Sequence, residues 1–124
     1  MWRGTDNEPE SIGRRPRKVF TMILRSWSGH ATSAGANAYV AHFQHTVLPE
    51  LRRIHGHRGA LVLARRSEDD VTVTVLTFWD SMTSIHQFAG EDATAAVVEP
   101  EARAVLKGFD TRVQHFDVLL DARA

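Results

Sequence analysis

The chain has 124 residues, 43% of them hydrophobic, which is enough for one domain around a single core and too few for two. Its 15 basic residues balance 15 acidic ones, and a formal net charge of +0 leaves no global field to draw it to nucleic acid or to a membrane surface. With no cysteine it has no disulfide framework or thiolate nucleophile, and no apolar run reaches the roughly 20 residues that span a bilayer, so the expectation is a cytoplasmic protein.

Residues 1–17 mix charges, prolines and glycines without period, which predicts a flexible arm ahead of a domain over 18–120, with 121–124 as a short tail. The basic run from Arg14 to Lys18 reads most plainly as solvated rather than as a nucleic-acid contact. From Lys18 to Ser28 apolar residues occupy both phases of a strand, with Phe20, Met22 and Leu24 on one face and Val19, Ile23 and Trp27 on the other. Between Ser33 and His55, Val40, Phe43, Val47, Leu51 and Ile54 recur at spacings of three and four, one stripe of a helix. Pro49 lacks an N–H and clashes with the carbonyl four residues back, so the helix should kink or restart there, with Gly56 and Gly59 closing it.

Ala60 to Arg66 reads as a second strand, and Ser67-Glu68-Asp69-Asp70 as the turn of a hairpin leading into a third, Val71 to Trp79. Asp80 or Ser81 can cap a second helix with Met82, Ile85, Phe88 and Ala89 inward and Gly90 at its end. Pro100 is placed to open a short helix through Lys107, which Gly108 would end before a last strand, Thr111 to Leu120. The order βαββαβ predicts an α+β fold: a ferredoxin-like, four-stranded antiparallel sheet with its helices on one face. The uncovered face should be polar if it met water, yet Val71, Val73 and Val75 alternate with Leu76 and Phe78, and Val113 alternates with Phe116 and Val118. A homodimer whose sheets pair into a closed barrel would bury that second apolar face.

At this point Trp27-Ser28-Gly29, Leu48-Pro49, His57-Arg58-Gly59, Leu76-Thr77-Phe78-Trp79-Asp80-Ser81 and Phe88-Ala89-Gly90-Glu91-Asp92 can be read together. Over Val19 to Val118 the chain resembles the antibiotic biosynthesis monooxygenase family of dimeric α+β barrels. The resemblance implies either cofactor-independent oxygenation of aromatic polyketides or oxidative degradation of haem. Haem degraders of this fold use an Asn on the first strand, a Trp on the second helix and an axial His beyond it. Matching the strand-to-helix junctions puts Phe88 and Val98 at the last two positions and Arg25 or Trp27 near the first. A valine cannot ligate iron, so the resemblance points away from haem and implies no cofactor.

Oxygenation without a cofactor needs a base, a dry aromatic pocket and donors for a developing oxyanion. His86, seven residues beyond Trp79 at the edge of the second helix, is the first candidate base, with His42 of the first helix as the alternative and Arg25 placed to hold a phenolate. Trp27, Trp79, Tyr39, His115 and Phe88 are the candidate substrate contacts. Plainer readings stand beside these: core filling for the tryptophans, an internal ion pair for Arg25 and hydrogen-bonded structural histidines, while His30, in a loop at the exit of the first strand, could act as a base or simply face water. Seven histidines invite a metal, but His42 and His45 on the first helix and the His55-Gly56-His57 run lack nearby carboxylates or a zinc motif, so none is expected. The reading is a monooxygenase acting on a small aromatic or polyketide-like molecule. The alternatives are a non-catalytic binding module for an aromatic or lipophilic metabolite, or a cyclase or isomerase with the same pocket.

Overall fold

A computed structural model describes residues 22–123. The expected arm over 1–17 and the start of the first strand lie outside the described residues. In chain order the elements are β1 (Ile23–Ala31), α1 (Ser33–His42), a π-helical turn (Phe43–Val47), α2 (Leu48–Arg52), β2 (His57–Ser67), β3 (Asp70–Trp79), α3 (Met82–Ala89), α4 (Pro100–Val105), β4 (Gly108–Phe109) and β5 (Gln114–Asp117). The sheet runs β2-β3-β1, with β4 and β5 both pairing along the other edge of β1, and every pairing is antiparallel. This is the expected α+β, ferredoxin-like order with its last strand in two pieces. Among the described residues no helix is long and apolar enough to cross a membrane.

The alternation of β3 decides which face is which. Val71, Val73, Val75, Thr77 and Trp79 are buried under the helices, where they meet Ala36, Tyr39, Phe43, Val47 and Leu51 of the first helical run and Ile85 of α3. Pairing puts Leu24, Leu61, Leu63, Leu76, Phe78 and Phe116 on the opposite, uncovered face. There Leu61, Leu63 and Phe116 are 40%, 45% and 50% exposed. Phe78 is shielded by the C-terminal segment, whose Arg123 guanidinium lies 4.1 Å over its ring.

Several expected boundaries shift, each for a local reason. β1 runs three residues past Ser28, to Ala31, because Gly29 and His30 pair with Phe109 and Gly108. The first helix does not hold one α stripe as far as His55. Pro49 sits at the start of α2, and ahead of it the Leu48 amide bonds the Phe43 carbonyl five residues back, so the break appears as a π turn. That wider turn moves the buried stripe to Ala36 and Tyr39, and leaves Val40 43% exposed. In α3 the Ser81 hydroxyl accepts from the Ser84 amide, and Gly90 ends the helix at φ +85. Ile85 is inward as expected, but Met82 faces water and Ser84 is buried in its place. α4 stops at Val105 and Gly108 belongs to β4, while the strand expected from Thr111 to Leu120 is confined to Gln114–Asp117. The Asp110 amide still bonds the Ser28 carbonyl in the register of β4, and the pairing then slips by two residues before β5, where Gln114 faces Ser26.

Candidate functional site

A cavity lies between the first helical run, the core face of β1 and β3, and the irregular segment joining α3 to α4. Arg25, Trp27, Val75 and Thr77 form its floor, Tyr39, Phe43, Val47 and Leu51 one wall, and Phe88, Val97, Val98 and Glu99 the other. It admits water-sized molecules over about 50 Å³, room for a few waters. Its walls are aromatic and aliphatic, with a guanidinium, two hydroxyls and a carboxylate as the polar groups.

Arg25 is 5% exposed, and among the described residues backbone carbonyls and a histidine, rather than the carboxylate of an internal ion pair, hold it. Its Nη1 donates to the Ala93 carbonyl and, at 3.0 Å, to His115 Nε2, while Nη2 donates to the Ala95 carbonyl at 2.9 Å. The guanidinium therefore pins the segment that walls the cavity to the sheet floor. Burial pulls its pKa down to about 10, so it still carries its charge near neutrality. Because arginine can only donate, His115 Nε2 must accept and the ring's hydrogen sits on Nδ1. Burial, then the Arg25 charge, then His86 hold the His115 pKa below its ordinary value of 6.5.

Trp27 stacks on Tyr39 with centroids 5.7 Å apart at 30°, and its Nε1 donates to the Asp110 carbonyl at 2.8 Å. Tyr39 is buried, and burial followed by the Glu99 charge raises its pKa, so its hydroxyl keeps its proton. Glu99 stands at the cavity wall with Oε1 3.2 Å from His42 Nε2, their side chains 26% and 10% exposed. The ring of His42 also lies 6.4 Å from that of Tyr39.

The candidates thus divide. Arg25, Trp27, Tyr39 and Phe88 line one cavity; His42 joins it through Glu99, and His115 through Arg25. Trp79 does not reach it: fully buried, with Nε1 donating to Thr77 Oγ1 at 2.8 Å and its ring 6.0 Å from Phe88, it forms core behind the cavity. His86 does not line it either. Its ring is exposed, and Nδ1 donates to the Gly90 carbonyl at 2.8 Å just past the end of α3. His30, expected in a loop, lies in β1, 3.3 Å from Thr72 Oγ1. Glu99 and Thr77 went unnoticed in the sequence. Thr77 was detectable as the polar residue in phase with Val71, Val73 and Val75, whereas a Glu before a helix-opening proline reads as an ordinary cap.

Burial and, secondarily, the Arg52 charge also depress His57, whose Nδ1 is buried without a partner. Both depressed histidines bind protons more readily in the unfolded chain, so their stabilising contribution is complete above about 6.5 and is lost as pH falls through the folded values. Urea unfolding should therefore show lower stability at pH 5.5 than at 7.5, with a smaller difference in His115→Asn. Equal profiles for the two proteins would separate His115 from the effect.

Among the described residues no group of three or more His, Asp or Glu side chains is placed to hold a metal ion. No family model and no curated protein matches the chain. Solved structures do. A proposed antibiotic biosynthesis monooxygenase from Bacillus cereus is 16% identical with a TM-score of 0.57, over 86% of this chain and 100% of that one. A monooxygenase from the gene ActVA-Orf6 of Streptomyces coelicolor, in complex with Nanaomycin D, is 14% identical with a TM-score of 0.51, over 86% and 91%. The heme-degrader MhuD from Mycobacterium tuberculosis, with two hemes bound in its active site, is 21% identical with a TM-score of 0.53, over 82% and 99%. At these identities the likeness is one of fold. The donor set of this cavity does not suit haem, since Val98 and Phe88 line it and no histidine does among the described residues.

Proposed function

We propose that the chain is a homodimeric monooxygenase that oxygenates a small aromatic or polyketide-like molecule without a cofactor. The observation that carries this reading is the cavity itself, with Trp27, Tyr39, Phe43 and Phe88 around a space whose floor presents the Arg25 guanidinium. Flat aromatic walls suit a flat substrate, and a buried cation beside Thr77 suits the anion that forms when it loses a proton. The fold shared with the monooxygenase that holds Nanaomycin D is consistent with such a ligand. In the reaction the substrate anion reduces O₂ to a bound hydroperoxide, which loses water: an activated CH₂ plus O₂ gives a carbonyl and H₂O. A ring system needs more room than the cavity offers, so Val97 and Val98, which lie in the wall beyond the carbonyls that Arg25 holds and belong to no helix or strand, would move outward on binding.

The dimer reading rests on the uncovered sheet face. Leu24, Leu61, Leu63, Leu76 and Phe116 make one apolar surface that a second copy would bury sheet against sheet. Sedimentation at micromolar concentration should give twice the 13.9 kDa chain mass. A panel of hydroquinones and anthrones should show oxygen uptake above buffer, with one O₂ consumed for each anthrone CH₂ converted to a carbonyl. One observation favours the alternative of a non-catalytic binding module: no described histidine lines the cavity. Tight binding across the panel with no oxygen uptake would decide for that module.

A further inference from the structure

We propose that Glu99 is the base that takes the proton from the bound aromatic molecule, with His42 as the residue that positions it; the assignment rests on the pocket reading above. Among the described residues Glu99 is the acidic residue that lines the cavity, while the histidines expected to serve as bases do not line it. Its place in the fold sharpens the point. Glu99 is the N-cap of α4, where a carboxylate ordinarily accepts from the first amides of the helix, yet its side chain makes no capping bond. It turns to His42, whose Nε2 donates to Oε1 at 3.2 Å and so leaves Oε2 as the acceptor available to a ligand. With 26% of its side chain exposed, Glu99 is shielded enough to be held in one orientation and open enough for a ligand to reach.

Tyr39 supplies the opposite function. Its hydroxyl, kept protonated by burial and by the neighbouring carboxylate, is a donor within the same cavity, and Arg25 is a second donor at the floor. One acceptor and two donors around a flat slot match a substrate with an acidic C–H beside a carbonyl or phenol oxygen. A C–H bond of the activated CH₂ breaks, the proton goes to Glu99 Oε2, and the electron pair is delocalised onto the oxygen held by Tyr39 or Arg25. After O₂ adds, Glu99 returns its proton to the peroxide. It then takes the second C–H proton as the O–O bond breaks, and the departing hydroxide carries that proton away as water.

Proton removal can be separated from oxygen chemistry by working anaerobically in D₂O with the full chain and anthrone. Binding is read from quenching of tryptophan emission, and exchange at the methylene carbon by mass spectrometry. The wild type should bind anthrone and exchange its methylene protons faster than buffer. Glu99→Gln should bind within about threefold of wild type while exchange falls by roughly 10² or more, the usual cost of a lost general base. Glu99→Asp, which withdraws the carboxylate by one methylene, should fall between them and guards against misfolding of the amide variant. His42→Asn should lower exchange about tenfold and shift its pH profile, the signature of a positioning partner. Wild-type exchange in a Glu99→Gln protein that binds anthrone would overturn the assignment alone. Binding by the wild type without exchange would also overturn it, and would leave the binding-module reading standing. No quenching by any anthrone or hydroquinone would bring down the pocket reading and this one with it.

Discussion

Val73→Lys should abolish cooperative folding or lower the thermal midpoint by more than 20 °C, roughly what a loss of several kcal/mol does to a domain of this size. Val73 is 1% exposed, packed in the core cluster under the helices, and no carboxylate belongs to that cluster. An ammonium forced there must shed its charge, and deprotonating a lysine of ordinary pKa about 10.4 near pH 7 costs roughly 4 to 5 kcal/mol before lost packing is counted. A single domain holds only about 5 to 15 kcal/mol in all. The matching control is Val40→Lys. The helical stripe puts Val40 in the core, but the structure leaves it 43% exposed on α1, so this change should cost no more than about 0.5 kcal/mol. Comparable losses at both positions would contradict the displaced stripe.

The second large effect is expected at Gly56, in the connection between α2 and β2. Its φ is +99, its carbonyl accepts from the Asp80 amide at 2.8 Å, and a Cβ placed on it would overlap the Ser84 hydroxyl and stand 2.8 Å from the Ser84 Cβ. Gly56→Ala therefore meets a backbone penalty of about 1 to 2 kcal/mol and a collision with α3 that only movement of that helix can relieve. Together these should remove roughly 3 kcal/mol, measured by urea unfolding. Ser84→Gly by itself should cost about 0.5 kcal/mol in helix propensity, but in the Gly56→Ala background it removes the collision. The double variant should then be more stable than the sum of the singles by more than about 1 kcal/mol, whereas simple additivity would show that the two residues do not collide.

The order of elements was legible because β3 and α3 carry strong periods of two and 3.6, with punctuation at Ser81 and Gly90 that the structure uses as expected. What escaped the sequence depends on partners far along the chain. The π turn ahead of Pro49 changes the helical phase, so extending the stripe backward from Phe43 by three residues finds Val40 rather than Tyr39. The last strand divides because its register on β1 slips by two residues between Asp110, held by Ser28 and Trp27, and Gln114 opposite Ser26, contacts between residues about 82 to 88 positions apart that no local pattern announces. The site was legible in its apolar parts, Trp27, Tyr39 and Phe88. Its polar parts were not, since His86 next to inward Ile85 turns to cap Gly90, and Glu99 resembles any acid at a helix start.

β1 has a consequence for the order in which this protein assembles. The β2–β3 hairpin closes through Glu68 and Asp69 and can form from neighbouring residues, but β1 meets β3 with Ala31 opposite Val71 and Ile23 opposite Trp79, and then meets β5 with Arg25 opposite His115. Joining such distant stretches carries the entropic cost of closing long loops, which slows folding even when the final contacts are strong. The cavity floor is Arg25 between Thr77 and His115, so it exists only after the two ends of the domain have come together. A hairpin intermediate would have no place to receive a ligand. Substrate added to a refolding chain should therefore slow unfolding of the finished protein without hastening its formation.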